Sequence, residues 1–430
     1  MDFPLREGVK FHTGNVMDAY AVKASIERTI ARGMGASYIW EPVERIEVVD
    51  PLTVRFILRE PAPLDLIVSS LAGAYIFDPQ FSDHEWFMAG NDSGTGPYRF
   101  VRHTGLEEAV IEKFDEYWGG WQPGQIEAVI FKYVPEDNTR LMLLETGAGD
   151  FTNRLAIELL PKAEANPNLK IIQGPTWINS QFYLNTQKPP LDNPLLRKAL
   201  AYTVPYEQIV EAAWGGYAKK AMGYVPYTLW GWSENTRTYT YNPDVARILL
   251  AEAGYPNGGI ELTLHHQLGD EYERRTAELW QAALAQFNIK LNIRAMPWDA
   301  RLAIAQDPDP NKRQDIFLMY SWPLSPSPIP LLQDNIGTWV PPRLNLSYYS
   351  NPLVDKLLVD ANHLAATNRK AAAELVREII NMVLDDAPVI PIVDCQQAAV
   401  ARADLVGPSW AFLNPAYPRA VDWYHIYRKR

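Results

Sequence analysis

Two histidines followed closely by two acids form the most plausible metal-binding group in this 430-residue chain. His265 and His266 are adjacent, and Asp270 and Glu271 come soon after them. Imidazole and carboxylate groups are common metal ligands. Neighbouring residues of a strand point to opposite faces of a sheet, however, so the two imidazoles would diverge. We therefore expect no metal site and no cofactor.

A second stretch, Gly94-Thr95-Gly96-Pro97, superficially resembles a phosphate-binding loop. It lacks the third glycine, the Lys-Ser/Thr pair and the following helix that such a loop needs. We interpret it as a turn between domains.

Covalent catalysis has little support in the sequence. It contains no Gly-x-Ser-x-Gly elbow and no His-Glu-x-x-His motif. The single cysteine, Cys395, has no obvious partner for nucleophilic chemistry and excludes an internal disulfide. The acid pair Asp385-Asp386 is of a kind common at helix ends. We predict a protein that is not an enzyme, with a glycan-active enzyme kept as an alternative.

Aromatic residues offer a different chemistry, the stacking or packing of a ligand. The chain contains 14 Trp and 22 Tyr, and most of them are expected to serve the core because aromatic side chains bury large areas. Trp177 and Trp322 are better candidates for binding. Trp322 follows the predicted strand 315–320, and ligands of open α/β sheets bind at the carboxyl ends of the strands.

The elements that would position these residues differ between the first part of the chain and the part after about residue 194. In the first part, the sequence predicts a helix over 19–31 that is capped by Asp18. It also predicts two hairpins, one of 43–49 with 53–58 and one of 98–102 with 109–114. From about residue 194 helices alternate with strands, which favours an α/β domain with a largely parallel sheet. After Pro388 and Pro391 we expect a non-periodic tail.

Bulk composition excludes some partners. The net charge is -11, from 40 basic and 51 acidic residues, which disfavours a nucleic-acid backbone as partner. No apolar run reaches the roughly 18 residues of a membrane span. The N-terminus lacks the basic, apolar and small-residue pattern of a signal peptide.

The stretch Gln181 to Leu200 is the most informative of all. An alternating aromatic strand, Gln181 to Asn185, is stopped by Pro189-Pro190, and a helix restarts with Asn193 as N-cap and Pro194 at its first position. This Asn-Thr-x-x-Pro-Pro strand and Arg-x-Ala-Leu helix closely resemble the hinge of family 5 extracytoplasmic solute-binding proteins of ABC importers. Six further segments are similar to family motifs, at Leu5–Gly14, Gly94–Tyr98, Tyr241–Ala246, Leu249–Pro256, Tyr349–Pro352 and Asp385–Pro391.

The resemblance implies an α/β fold of the two-lobed periplasmic-binding-protein type (type II), with a small extra domain. It places that extra domain at residues 1–92, the first part of the large lobe at 93–183, the second lobe at 184–394 and a return to the large lobe at 395–430. In relatives, an export signal and the first strands of the large lobe precede Leu5. We therefore interpret the chain as lacking those N-terminal strands.

The resemblance also implies a function, which is delivery of a peptide, an oligosaccharide or a similar small solute to ABC permease subunits by hinged closure of the lobes. The expected protein is an extracytoplasmic monomer, and a binding-incompetent truncated paralogue is another alternative. Some members of the family bind nickel, so a metal ligand is a further alternative. The cleft contacts expected from the resemblance are Trp177, Tyr183, Asn185, Tyr320, Trp322 and Trp339. Of these, Asn185 is expected to support the hinge more than to touch the ligand.

One position departs from the pattern of the peptide-binding relatives. These relatives have an aspartate, which pairs with the peptide's α-amino group, where this chain has Leu324. A buried ammonium without a carboxylate partner is costly. We therefore expect a neutral or anionic ligand, with sugar rings stacking on Trp faces as one option.

Overall fold

The computed structural model describes residues 1–105, 107–339, 343–417 and 420–429. The chain forms two compact units. Unit 1 consists of Met1–Gly174 and Gln397–Arg430, and unit 2 of Pro175–Gln396. Unit 2 therefore includes residues 175–183, which the sequence analysis assigned to the large lobe. The finer division of unit 1 into an extra domain and a lobe stays a prediction.

The first part of unit 1 begins with the helix that the sequence predicts. The Asp18 carboxylate accepts a hydrogen bond from the Ala21 amide at 2.8 Å, and Gly33 ends the helix in the left-handed conformation, with φ 58°. Both predicted hairpins are also present. The elements are β1 (Asp2–Pro4), α1 (Ala19–Arg32), β2 (Val43–Asp50), β3 (Thr53–Leu58), α2 (Leu64–Ile67), α3 (His84–Met88), β4 (Tyr98–Thr104), β5 (Glu108–Lys113), β6 (Ala128–Lys132), α4 (Asp137–Thr146), β7 (Phe151–Thr152) and α5 (Leu160–Glu164).

Two small antiparallel sheets organise this part of unit 1. Their strand orders are β1-β3-β2 and β4-β5-β6. The first sheet packs on α1 around Trp40, whose ring stacks on Phe56 with centroids 5.8 Å apart. Gly94-Thr95-Gly96 leads into a bend at Gly96-Pro97 and is contacted by the His12 ring. The His12 ring contacts the Asp92 carboxylate at 2.8 Å and the Gly96 carbonyl at 2.9 Å, so these residues serve structure.

Unit 2 is an α/β unit built on one sheet. Its strands and helices, with a π-helical turn over Ile209–Ala213, are β8 (Leu169–Leu184, which begins in unit 1), α6 (Pro194–Thr203), α7 (Tyr206–Gln208), β9 (Ala218–Lys220), α8 (Pro243–Glu252), β10 (Ile260–Gln267), α9 (Glu271–Ala285), β11 (Ile289–Met296), α10 (Trp298–Ala305), β12 (Ile316–Ser321), α11 (Pro328–Ile336), α12 (Pro352–Ala365), α13 (Arg369–Asp386) and β13 (Val389–Arg402). The predicted N-cap is present, because the Asn193 side chain accepts from the Leu195 amide at 2.9 Å.

The sheet of unit 2 has the order β11-β10-β12-β8-β13, and β9 pairs with β13. β10 is parallel to β11 and to β12, as the helix-strand alternation predicts, whereas β8 is antiparallel to β12. Helices α12 and α13 pack together against a large apolar core that includes Phe182, whose ring stacks on Trp280 at 4.1 Å.

The prediction of a non-periodic tail after Pro388 is wrong, because this stretch forms the long strand β13. Its first seven residues, 389–395, are all buried. A strand covered on both faces shows no alternation of polar and apolar residues, so no period of two is visible in the sequence. In unit 1, the far end of β13 pairs with β7, and β14 (Leu405–Val406), α14 (Ser409–Phe412) and β15 (Tyr427–Arg428) follow.

Candidate functional site

The carboxyl ends of β10, β11 and β12 lie at one edge of the unit 2 sheet, because the three strands are parallel. We call this the carboxyl edge. Strand β8 runs the other way and pairs Asn179 with Ser321, the last residue of β12. Trp177, two residues earlier, therefore lies on the same edge as Trp322. Two of the six predicted contacts therefore lie at the carboxyl edge.

Trp322 is the most accessible of the six. The residue is 46% exposed, which is comparable with Trp118 at 45% and Trp410 at 50%. Trp177 is half-buried against the core of unit 2. An exposed indole at the carboxyl edge can stack on a ring or pack against an apolar group of a ligand.

Tyr320 serves as a brace in this structure. Its hydroxyl donates to the Asp270 carboxylate at 3.0 Å, and its ring meets Trp214 edge-on at 6.1 Å. The same Asp270 oxygen caps α9 by accepting from the Glu273 amide at 2.9 Å. Burial, and then the nearby Asp270 carboxylate, raise the pKa of Tyr320. Tyr320 therefore connects the end of β12 to the start of α9.

Tyr183 and Asn185 are buried completely, so neither offers surface to a ligand in this structure. Tyr183 lies opposite Phe317 in the middle of the sheet and belongs to the core. The Asn185 amide group donates to the Gln314 carbonyl at 3.0 Å, and its oxygen accepts from the Gln187 amide at 3.1 Å. The expected ligand contact of Tyr183 is corrected to a core role, and Asn185 braces the chain after β8.

Trp339 lies beyond the C-terminal end of α11, next to residues 340–342, which are outside the described part of the chain. Its Nε1 atom donates to the Gln333 carbonyl at 2.7 Å, and the Arg343 guanidinium lies 3.9 Å from the ring centroid. The hydrogen bond fixes the indole against α11, and Arg343 adds a cation–π contact to the ring.

Residues before and after Trp322 make hydrogen bonds that fix this segment. We call residues 322–327 the Trp322 loop. The Ser321 hydroxyl accepts from the Asn335 side chain, the Pro326 carbonyl accepts from Trp230 Nε1 at 2.7 Å, and Ser327 caps α11. Sequence reasoning did not assign Trp230, Asn335 or Asp270 to this region. Trp230 and Asp270 are far from the loop along the chain, and the contact of Asn335 with Ser321 depends on how α11 packs.

The possible metal ligands do not come together. Among the described residues, no group of three His, Cys, Asp or Glu side chains could hold a metal ion. His265 and His266 are buried in β10, Asp270 is occupied as the cap of α9, and Glu271 pairs with Arg274 at 2.6 Å.

A buried ion pair lies behind the carboxyl edge. Glu273 and Arg301 are 2% and 1% exposed, and their side chains are 3.7 Å apart. The Glu273 carboxylate also accepts from the Gln267 amide at 2.6 Å, while Arg301 donates to the His265 and Leu318 carbonyls. Burial raises the pKa of Glu273 although Arg301 opposes the shift. This pair links α9 and α10 to β10 and β12.

The burial of His265 predicts that the stability of unit 2 depends on pH. Burial, and then the Arg301 guanidinium, lower the pKa of His265 from 6.5 to about 4. Between pH 4 and pH 6.5 His265 binds a proton in the unfolded chain but not in the folded chain. The contribution of the neutral imidazole to the free energy of unfolding is therefore complete above pH 6.5 and is lost as the pH falls towards 4. Its full size is about 3 kcal/mol. We expect the free energy of unfolding of His265→Gln to fall less steeply than that of the parent between pH 6.5 and pH 4. Urea unfolding at several pH values would measure this.

His84, an exposed histidine on α3, offers the matched control, and His84→Gln should unfold with the acid sensitivity of the parent protein. If the stability of His265→Gln fell with pH as steeply as that of the parent, the buried neutral imidazole would not be the cause.

The chain has the type II periplasmic-binding-protein fold, as predicted, and its likeness to solved structures shows this. The fold matches the solved ABC transporter substrate-binding protein CtaP from Listeria monocytogenes with a TM-score of 0.88 and 22% identity, over 100% of this chain and 88% of that one. It also matches DppA from Helicobacter pylori in complex with the peptide STSA, with a TM-score of 0.80 and 23% identity, over 100% and 86% of the two chains.

The particular family follows from sequence. A profile of the bacterial extracellular solute-binding proteins, family 5, matches residues 1–337, and the chain belongs to that family. The glutathione-binding protein GsiB of Pectobacterium atrosepticum is 30% identical over 399 residues, 89% of this chain and 75% of the relative. GsiB of Escherichia coli K12 is 29% identical over 418 residues.

Family membership confirms the predicted class of function, a receptor for a small solute in an ABC importer. The family is extracellular, and its named relatives are binding proteins. Within the described residues, no helix has the length and apolar character needed to cross a membrane.

Proposed function

We propose that this receptor captures a neutral or anionic solute of peptide size, with Trp322 as a principal contact, and delivers it to ABC permease subunits. The observation that supports this most is the pairing of an exposed indole with a loop free of acids. Residues 322–327 are Trp, Pro, Leu, Ser, Pro and Ser, so the loop offers no carboxylate to an ammonium group. Binding requires no covalent chemistry, and the monomer is the expected form.

Glutathione is the first probe, because relatives about 30% identical are named as glutathione-binding proteins. It has two carboxylates, one ammonium and a thiol, so it is anionic at neutral pH. An oligosaccharide is the second candidate, since the exposed indole of Trp322 can stack on a sugar ring.

Mass spectrometry of small molecules released from freshly purified, denatured protein separates these possibilities. A co-purified anionic peptide or an oligosaccharide would support the proposal, and calorimetry with that compound should then give a saturable isotherm. Release of a cationic peptide would contradict the inferred ligand charge. An empty protein that binds neither probe would favour a binding-incompetent paralogue, and turnover of an oligosaccharide would show an enzyme.

Leu324 provides a direct test of the charge argument. Leu324→Asp introduces a carboxylate into the Trp322 loop, and we expect at least tenfold tighter binding of a dipeptide with a free amino group. The reason is that charge-assisted hydrogen bonds contribute about 1.5–3 kcal/mol. Titration calorimetry with alanyl-phenylalanine would measure the change.

Leu324→Asn is the matched control, since it has the same shape as the aspartate variant but no charge, and its dipeptide affinity should stay at the parental level. Tight dipeptide binding by the parent protein, unchanged in Leu324→Asp, would mean that another residue receives the amino group.

A further inference from the structure

The Trp322 loop has a backbone with few hydrogen bonds of its own. Pro323 and Pro326 lack an amide hydrogen, as does Pro328 at the start of α11, and the Ser327 amide donates locally to the Ser325 carbonyl at 2.6 Å. The exposed indole at the start of this loop therefore depends on contacts from elsewhere for a fixed position.

Trp230 supplies such a contact from a distant part of the chain. It lies in the connection between β9 and α8, half-buried against the core of unit 2, and its Nε1 atom donates to the Pro326 carbonyl at 2.7 Å. This distance is at the short end for an N–H···O hydrogen bond.

The residue after Trp230 supports the same contact. Gly231 has φ +87°, and a Cβ atom built on it would lie 3.1 Å from a Val376 methyl and 3.4 Å from Pro328. A side chain would therefore strain the backbone and crowd the residue that opens α11. The absence of a side chain lets the Trp230-Gly231 segment pack closely against the C-terminal end of the Trp322 loop.

We propose that Trp230 is a positioning residue for solute binding, which holds the Trp322 loop so that the Trp322 indole is fixed before the solute arrives. This role rests on the proposed function of Trp322 as a contact. A loop that is already ordered loses less conformational freedom on binding, so the affinity is higher. The other end of the loop is fixed by two hydrogen bonds. Asn335 donates to the Ser321 hydroxyl, and the Tyr320 hydroxyl donates to the Asp270 carboxylate.

Trp230→Phe tests the proposal because it keeps an aromatic ring and removes only the N–H donor and part of the indole. Trp232→Phe is the matched control, since the buried Nε1 atom of Trp232 has no hydrogen-bond partner among the described residues. The Ser327 amide donates to the Ser325 carbonyl and the Ile329 amide to the Ser327 hydroxyl. Hydrogen exchange of these two amides, followed by mass spectrometry on the protein without solute, should be at least fivefold faster in Trp230→Phe. The same amides should exchange at the parental rate in Trp232→Phe.

Unchanged exchange in Trp230→Phe, or equally faster exchange in both variants, would overturn the proposal. Circular dichroism would establish that each variant is folded. If Trp230→Phe did not fold, 3-benzothienylalanine at position 230 would keep the shape of the indole and replace its N–H by sulfur, and the same exchange measurement would apply.

Binding of glutathione separates this proposal from the proposed function. If the parent binds glutathione, Trp230→Phe should dissociate from it about fivefold faster or more, and Trp232→Phe should match the parent. Faster exchange in the Trp322 loop of Trp230→Phe, together with a parent that binds no probe, would support the positioning role and contradict the proposed solute.

Discussion

Replacing Arg301 with leucine is expected to lower the free energy of unfolding by about 3–5 kcal/mol, the usual cost of removing one member of a buried ion pair. The Glu273 carboxylate would then lie in the core, 2% exposed, without its cationic neighbour. Arg301 also donates to two strand carbonyls, which would lose a donor. Urea unfolding at pH 7.5 would measure the loss.

The pH dependence of this variant gives an independent check. Burial raises the pKa of Glu273, and removing Arg301 takes away the interaction that opposes that rise. The unpaired carboxylate should therefore be most costly at high pH, and the deficit of Arg301→Leu should shrink as the pH falls and Glu273 gains a proton. A deficit that grew towards acid would contradict this account.

Arg274 provides the comparison for Arg301. It pairs with Glu271 at 2.6 Å and with Glu278 at 2.7 Å on the exposed face of α9. Exposed pairs contribute about 0–1 kcal/mol, so Arg274→Leu should change the stability little although its ion pairs are shorter. The double variant Arg301→Leu with Glu273→Leu should regain much of the stability lost in Arg301→Leu, since apolar replacements of buried pairs are often tolerated.

Removing the Trp322 side chain is expected to weaken solute binding by about 10- to 100-fold, because a buried aromatic contact at an interface contributes roughly 2 kcal/mol or more. Trp322 is 46% exposed in this structure and lies at the carboxyl edge. Trp322→Ala should therefore lose affinity while its unfolding midpoint stays near that of the parent. Calorimetric titration with the solute identified by mass spectrometry would measure the change.

Trp410 on α14 is the matched control for Trp322, because it is 50% exposed and belongs to unit 1 outside the carboxyl edge. Trp410→Ala should bind the solute with parental affinity. Equal binding by Trp322→Ala and the parent would remove Trp322 from the set of contacts and, with it, the central observation behind the proposed function.

Sequence reasoning located several elements of this fold because their ends have local signals. Asp18 and Asn193 each accept from an amide of the helix that follows, and such caps are visible in the sequence. Strand β13 was missed for a physical reason, since its buried residues show no alternation. The antiparallel pairing of β8 with β12 was also not predicted, because pairing partners are set by tertiary packing and leave no local signal.

Candidate residues were less predictable than elements. Trp322 could be chosen from its position after β12, but the burial of Tyr183 could not be predicted, since a strand covered on both faces gives no clue to which side faces a ligand. Trp230 and Arg301 act on partners far away in sequence, Pro326 and Glu273, so their roles became visible only in three dimensions.

The division of the chain has a consequence for its synthesis on the ribosome. Unit 2 is one uninterrupted segment, Pro175–Gln396, whose two ends are adjacent, with the Thr176 hydroxyl donating to the Cys395 carbonyl at 2.7 Å. Unit 1 needs strand partners from both sides of that segment, such as Phe151 opposite Ala401. Because domains fold as units while the chain emerges, unit 2 can reach its native state first, although much of unit 1 is translated before it.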